Sequence, residues 1–425
     1  MNRMRAIGLW FTSVVIIITL LVGRGSLNLS PSAEIAKSEL YSIVGWELEN
    51  FPNKWINKLK AIVSGNNLDD NLHHSAIIEY ISLTNKLSYL KTELANYGHS
   101  NNTVNSYARA QTKIIQDIES IRLSIASIQN DVEEFLESRI STEIQEHDIG
   151  YVGPMGLHLP PVDFRLTYSP KVLIISPRNR IEMTESILIK NDIQELAIIS
   201  IENSIADTHN LSTYIANTGG LATYPSTINH NSSVSSLIDT AAHEWLHHYL
   251  FFKPLGQSYW SSNTMRSINE TTANIFGKEI SDTIHADLRN DGLYDTQQKY
   301  EPRKVDEINS VFDFRKEMQV TRLEAENMLS NDNIQAAEEY MENRRQYFVS
   351  NGYHIRVLNQ AYFAFHGTYA DSPSSISPIY SQLITIRNAS RSLNEFINRV
   401  SSISNHEHFL DLVTEAESEI NNLTP

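Results

Sequence analysis

A predominantly helical α+β fold is what this sequence predicts, on three observations. Apolar residues recur at steps of three and four through most of the chain, which is the helical period. Short strand-like runs are confined to the stretch from Phe164 to Ile228. Between them and a wholly helical first part, glycine and proline cluster at Gly150, Gly153, Pro154, Gly156, Pro160 and Pro161 and mark a boundary. With 425 residues, 41% hydrophobic and 20% charged, the chain is globular and long enough to bury a large core.

In chain order, residues 1–30 form an expected membrane anchor and linker. The run Ala6 to Gly23 carries no charge, is 18 residues long and follows Arg3 and Arg5. That length spans a bilayer, and the basic start sets the N-terminus in the cytoplasm. A single-pass membrane protein with its main part outside the cytoplasm is therefore expected; the alternative is secretion after signal cleavage. Residues 31–149 read as a helical, coiled-coil-like region. A first helix from Ser38 to Val63 is broken at Pro52, and a second, Ala76 to Tyr97, carries Ile77, Tyr80, Leu83, Leu87, Leu90 and Leu94 on one side. After Gly98 to Asn102, a heptad seam runs through Ile114, Ile118, Ile121, Ile125, Ile128, Val132 and Phe135. The two longer helices predict an antiparallel hairpin, with self-association through this region as one use for it.

Residues 150–425 form the expected second domain. Phe164–Tyr168 and Lys171–Ser176 read as strands, and Ile193–Ser204 fits helix or strand. Thr218–Ile228, with Gly219 and Gly220, fits an edge strand or a glycine-rich loop; Pro225 is tolerated at an edge. Ser233–Leu250 and Met265–Ile280 are helical in pattern, the first stopped at Pro254 and Gly256. Asp287–Gly292 has Arg289 where a calcium loop needs an oxygen ligand, so it reads as a plain loop. Further helices follow from Phe314 to Phe348, joined near Ser330–Asn333, then an aromatic stretch Tyr353–Tyr369, a Pro/Ser loop from Pro373 to Pro378, and helices from Ile379 to Leu412.

The chemistry centres on His243-Glu244-Trp245-Leu246-His247, an H-E-x-x-H motif on the first of the two helices. Residues four apart share a helical face, so His243 and His247 can offer two imidazole nitrogens to one metal ion. Glu244 sits beside them and can take a proton from a metal-activated water. Asn269-Glu270-Thr271-Thr272-Ala273-Asn274 follows on the next helix, and Glu270 supplies a third ligand. Two histidines and one carboxylate leave a tetrahedral zinc ion one open position, the mark of a catalytic site.

H-E-x-x-H followed by N-E-x-x-A on a second helix resembles the gluzincin group of zinc metallopeptidases, thermolysin-like and aminopeptidase-like. The resemblance implies a gluzincin-like catalytic domain with a small mixed sheet and one zinc ion. His243, His247 and Glu270 would be its ligands and Glu244 its general base. It also implies that Asn274, four residues after the third ligand, hydrogen-bonds a ligand histidine, although Asp is more usual there. An edge strand before the metal helix would pair with an extended peptide, and its place here is Ala222, Thr223 and Tyr224. A Tyr or His downstream would stabilise the oxyanion; the candidates are Tyr369 and His366, with Tyr353 and Tyr362 behind them.

The expected activity is hydrolysis of a peptide or protein substrate. Two alternatives stand beside it: a zinc hydrolase of non-peptide amides or esters, and a helical interaction or scaffold protein with a structural or inactive zinc site. A net charge of −16 argues against nucleic-acid binding by bulk electrostatics. The absence of cysteine excludes disulfides, iron–sulfur clusters, thiolate zinc sites and cysteine nucleophiles.

Overall fold

The computed structural model describes residues 29–50, 70–97, 104–152, 157–230, 233–292 and 312–423. Over these the chain is mostly helical with small sheets, as its periodicity predicts. A short helix α1 (Pro31–Ile35) leads into a 3-10 turn at Lys37–Glu39 and a helical stretch over 43–50. The single helix expected from Ser38 to Val63 is thus interrupted at its start, and its second half lies outside the described residues. The single-pass membrane placement is corrected: among the described residues no helix is long and apolar enough to cross a membrane. The apolar run Ala6 to Gly23 itself lies outside those residues.

Helices α2 (Asp70–Tyr97) and α3 (Val104–Glu146) form the expected hairpin. The heptad seam of α3 is used within the chain. Ile114, Ile118, Ile121 and Ile125 pack with Ile77, Tyr80, Leu87 and Leu90 of α2 in one buried cluster. Each such fully buried side chain contributes about 1.5–3 kcal/mol over exposure. The second half of α3 joins the same core as the metal-motif helices, through Val132, Leu136, Ile140 and Ile144.

Three small sheets follow: β1 (Tyr151–Val152) with β2 (Leu157–His158); β3 (Phe164–Thr167); and β4 (Lys171–Pro177) flanked by β5 (Glu185–Ile189) and β6 (Leu211–Asn217). Between β5 and β6 the ambiguous apolar run is helix α4 (Glu195–His209). Its Ile198, Ile201 and Ile205 pack on Leu173, Ile175 and Ile215 of the sheet, so the period of three and four wins over the β-branched composition. Strand β8 (Ser226–Asn229) lies between β3, parallel to it, and the two-residue β7 (Gly220–Leu221), antiparallel to it. Two carboxylates of α3 meet β3: Glu137 accepts from the Phe164 N–H at 2.9 Å and Glu133 from the Leu166 N–H at 2.7 Å. Backbone N–H groups are good partners for buried carboxylates.

The remaining elements are helical: α5 (Val234–Leu250), α6 (Pro254–Gln257), α7 (Asn263–Asn290), α8 (Phe314–Ser330), α9 (Ile334–Ser350), α10 (Gln360–His366), α11 (Ile379–Ala389), α12 (Leu393–Ser401) and α13 (His406–Leu423). Helices α5 and α7 pack closely and carry the motif. They can approach because of Gly277 on α7. A Cβ there would stand 2.6 Å from the backbone oxygen of Asp239 and 3.3 Å from His243 Cβ. Any side chain at this position would push α7, and Glu270 with it, away from α5.

Candidate metal centre

The site begins with two capped helices. Ser233 caps α5 by accepting from the Ser236 N–H, and Ser262 caps α7 by accepting from the Met265 N–H. The apolar stripe of α5, Leu237, Ile238, Ala241, Trp245, Leu246 and Tyr249, is buried. Trp245 fixes the rotation of the helix: it stacks on Tyr249 and Phe276, and its Nε1 donates to the Pro160 carbonyl at 2.7 Å. With that stripe inward, His243 and His247 emerge together on the flank that faces α7.

The sequence-predicted ligands converge. His243 Nε2 and His247 Nε2 are 3.0 Å apart, and Glu270 Oε2 lies 3.4 Å from the first and 3.5 Å from the second. Donors held at ~2.0–2.2 Å around a tetrahedral ion would be about 3.3–3.6 Å apart. The three residues form a group able to hold a metal ion. The surrounding charge favours a cation. Burial alone would lower His243, but the carboxylates of Glu270, Glu244 and Asp239 outweigh it and raise it to about 9. Burial would likewise raise Glu270, yet the facing imidazoles of His247 and His243 hold its carboxyl well below the usual range. Glu244 is buried beside the three, and that burial raises it against the opposing pull of His243 and His247.

Two residues that sequence reasoning missed complete the centre. Tyr259 donates its hydroxyl to Glu270 Oε1 at 2.5 Å, which leaves Oε2 to the imidazoles. A bond of this kind would orient the carboxylate of a ligand to a bound ion. Asp239 stands one turn before His243 on α5 and faces it electrostatically. Its spacing of four was a readable signal; the role of Tyr259, in the connection between the helices, had none.

The other expected residues divide. Tyr369 is at the site: the charges of Glu270, then burial, then Glu244 raise its phenol well above the usual tyrosine value, so it stays protonated. His366 is not brought there. It packs against Tyr362, Phe365 and Tyr214, and burial lowers it to about 4. Tyr362 lies in that same aromatic group, while Tyr353 stacks on Phe314. Asn274 does not take the expected histidine. Its hydrogen bond runs instead from Nδ2 to Asp371 Oδ1 at 3.0 Å.

The edge strand is also displaced. Strand pairing covers Gly220–Leu221, and Ala222, Thr223 and Tyr224 form the turn after it. Thr223 Oγ1 donates to the Pro225 carbonyl at 2.8 Å, and the buried Tyr224 gives its N–H to Glu47 Oε1 at 3.3 Å. Both bonds bend the chain out of the sheet. The edge itself touches the centre, since a Cβ on Gly220 would lie 2.6 Å from Glu244 Oε1. Gly219 O accepts from the Asn229 N–H. By the alternation of an antiparallel ladder, the N–H and C=O of Gly220 then point away from β8, to the open side. Triad, edge and turn line one cavity of about 1320 Å³, walled on its other sides by Val172, Met183, Tyr249, Phe251, Phe252 and Trp260.

No protein-family model matches this chain, and neither does any curated protein or any solved structure.

Proposed function

We propose that this chain is a zinc-dependent peptidase of gluzincin type. The observation that carries the proposal is the meeting, in one cavity, of a His–His–Glu donor set with a buried carboxylate, Glu244, that belongs to no part of that set. A structural metal site has no need of such a group. Two imidazoles and a carboxylate are a donor set of catalytic zinc, which acts as a Lewis acid and lowers the pKa of water to about 7.

The protein's own groups supply the rest. Glu244 takes the proton of the attacking water and returns it to the departing amine. Tyr369, kept protonated by the neighbouring carboxylates, donates to the oxygen that becomes negative. The open backbone groups of Gly220 pair with an extended substrate by strand addition. That pairing is the feature that favours a peptide over other amides and esters. Gly220 has to be glycine for the edge itself to lie against Glu244 and Thr240, which a Cβ would meet at 2.6 and 2.8 Å.

The test is a set of peptides, with simple esters and non-peptide amides alongside, incubated with the full chain. Cleavage of peptides should stop with a chelator and return when zinc is restored. Metal-independent cleavage, or turnover of the esters alone, would count against the proposal.

A further inference from the structure

Arg266 is a cation inside the metal cavity for which the centre itself has no use. It lies on α7 four residues before Glu270, so the two share a helical face, and it lines the cavity with Tyr259 and Trp260. Its guanidinium carbon stands 5.0 Å from the Trp260 ring centre and 5.7 Å from that of Tyr259. Stacking of this kind orients the guanidinium while preserving its charge and its in-plane donors. Those donors are largely unused. Nη1 donates to Asn263 Oδ1 at 3.1 Å, and Nε, shielded from water, has no acceptor among the described residues. Among the described residues Arg266 pairs with no carboxylate, although the chain carries 50 acidic side chains against 34 basic ones. An oriented, half-buried and unpaired guanidinium in a binding cavity is a receptor for a planar anion.

We infer that Arg266 binds a carboxylate of the substrate. The inference rests on the peptidase reading and narrows it to peptides that present a carboxylate close to the scissile bond. Arg266 precedes Glu270 by one helical turn, about 6 Å along the axis. An extended peptide rises about 3.4 Å per residue. A carboxylate at Arg266 therefore belongs to the chain end, or to an acidic side chain, within a residue or two of the metal. Trp260 and Tyr259 hold the guanidinium for this task, and Tyr259 ties it to Glu270 through its hydroxyl.

The experiment is calorimetric titration of the full, zinc-loaded chain carrying Glu244→Gln, which prevents turnover. Three probes are used: a blocked dipeptide with a free C-terminal carboxylate, its C-terminal amide, and an amide carrying an Asp side chain at its last residue. The free acid should bind at least tenfold more tightly than the plain amide. Adding Arg266→Gln should erase that preference with zinc content and melting temperature unchanged, and Arg266→Lys should keep part of it. An Asp-bearing amide that binds as tightly as the free acid assigns the carboxylate to a side chain; one that binds like the plain amide assigns it to the chain end. Equal binding of acid and plain amide, with the Asp-bearing amide no tighter, overturns the inference. So does a preference that survives Arg266→Gln, because the ion or a histidine would then be its receptor. These readouts need no hydrolysis, so failure of the peptidase reading would appear separately, as a loaded wild-type chain that binds peptides without cleaving them.

Discussion

Glu244→Gln is expected to lower peptide hydrolysis by about 10²- to 10⁴-fold, the usual worth of a general acid–base group, while the bound zinc stays at the wild-type level. The substitution keeps the size and much of the hydrogen-bonding capacity of the side chain but removes its basicity. Glu244 lies against the imidazoles and is 7% exposed, so a neutral amide also relieves a desolvation cost. Stability should therefore hold or rise, and a thermal melt will separate lost chemistry from lost fold. Steady-state rates on one peptide, together with metal content, check both halves. Retention of full activity would remove Glu244 from the mechanism.

Glu270→Ala should remove the ion itself. The carboxylate is the one anionic member of the group that could hold a metal ion, and it is also the acceptor for Tyr259. Loss of a supporting hydrogen bond near a metal typically costs 10–100-fold in affinity. Loss of a ligand should cost at least about 100-fold by the same scale. Hydrolysis should fall in step with zinc content and recover in part at high added zinc. Glu270→Gln is the companion variant: it keeps a partner for the Tyr259 hydroxyl and lacks the charge, so it should fold like the wild type and still bind zinc weakly. Wild-type affinity in both variants would show that the ion sits elsewhere.

What the sequence disclosed, and what it did not, follows from the range of each interaction. His243, Glu244 and His247 were legible because one helical period relates them. Glu270 was legible because Asn269-Glu270-Thr271-Thr272-Ala273 follows the first motif on a second stretch of helical pattern. Helix α4 was ambiguous because its isoleucines suit either period locally, and only the sheet beneath it decides. The pairing of Asn274 with Asp371 crosses 97 residues and has no local signature. Tyr259 reaches Glu270 from a turn, where no period says which way a side chain points. Of His366 and Tyr369, the sequence favours Tyr369, because it begins the Pro/Ser loop. The end of α10 separates them, since His366 belongs to its packed aromatic face and Tyr369 to the turn that follows. The edge strand is shorter than its composition suggests because Thr223 bonds Pro225 and draws the turn inward.

One ion held by His243, His247 and Glu270 would underlie both effects. Zinc K-edge X-ray absorption on the full chain, dialysed after loading, addresses that directly. One zinc per chain is predicted, with two imidazole nitrogens and oxygen ligands at ~2.0–2.2 Å. A chain that retains no zinc, or a zinc whose spectrum lacks imidazole scattering, would contradict it.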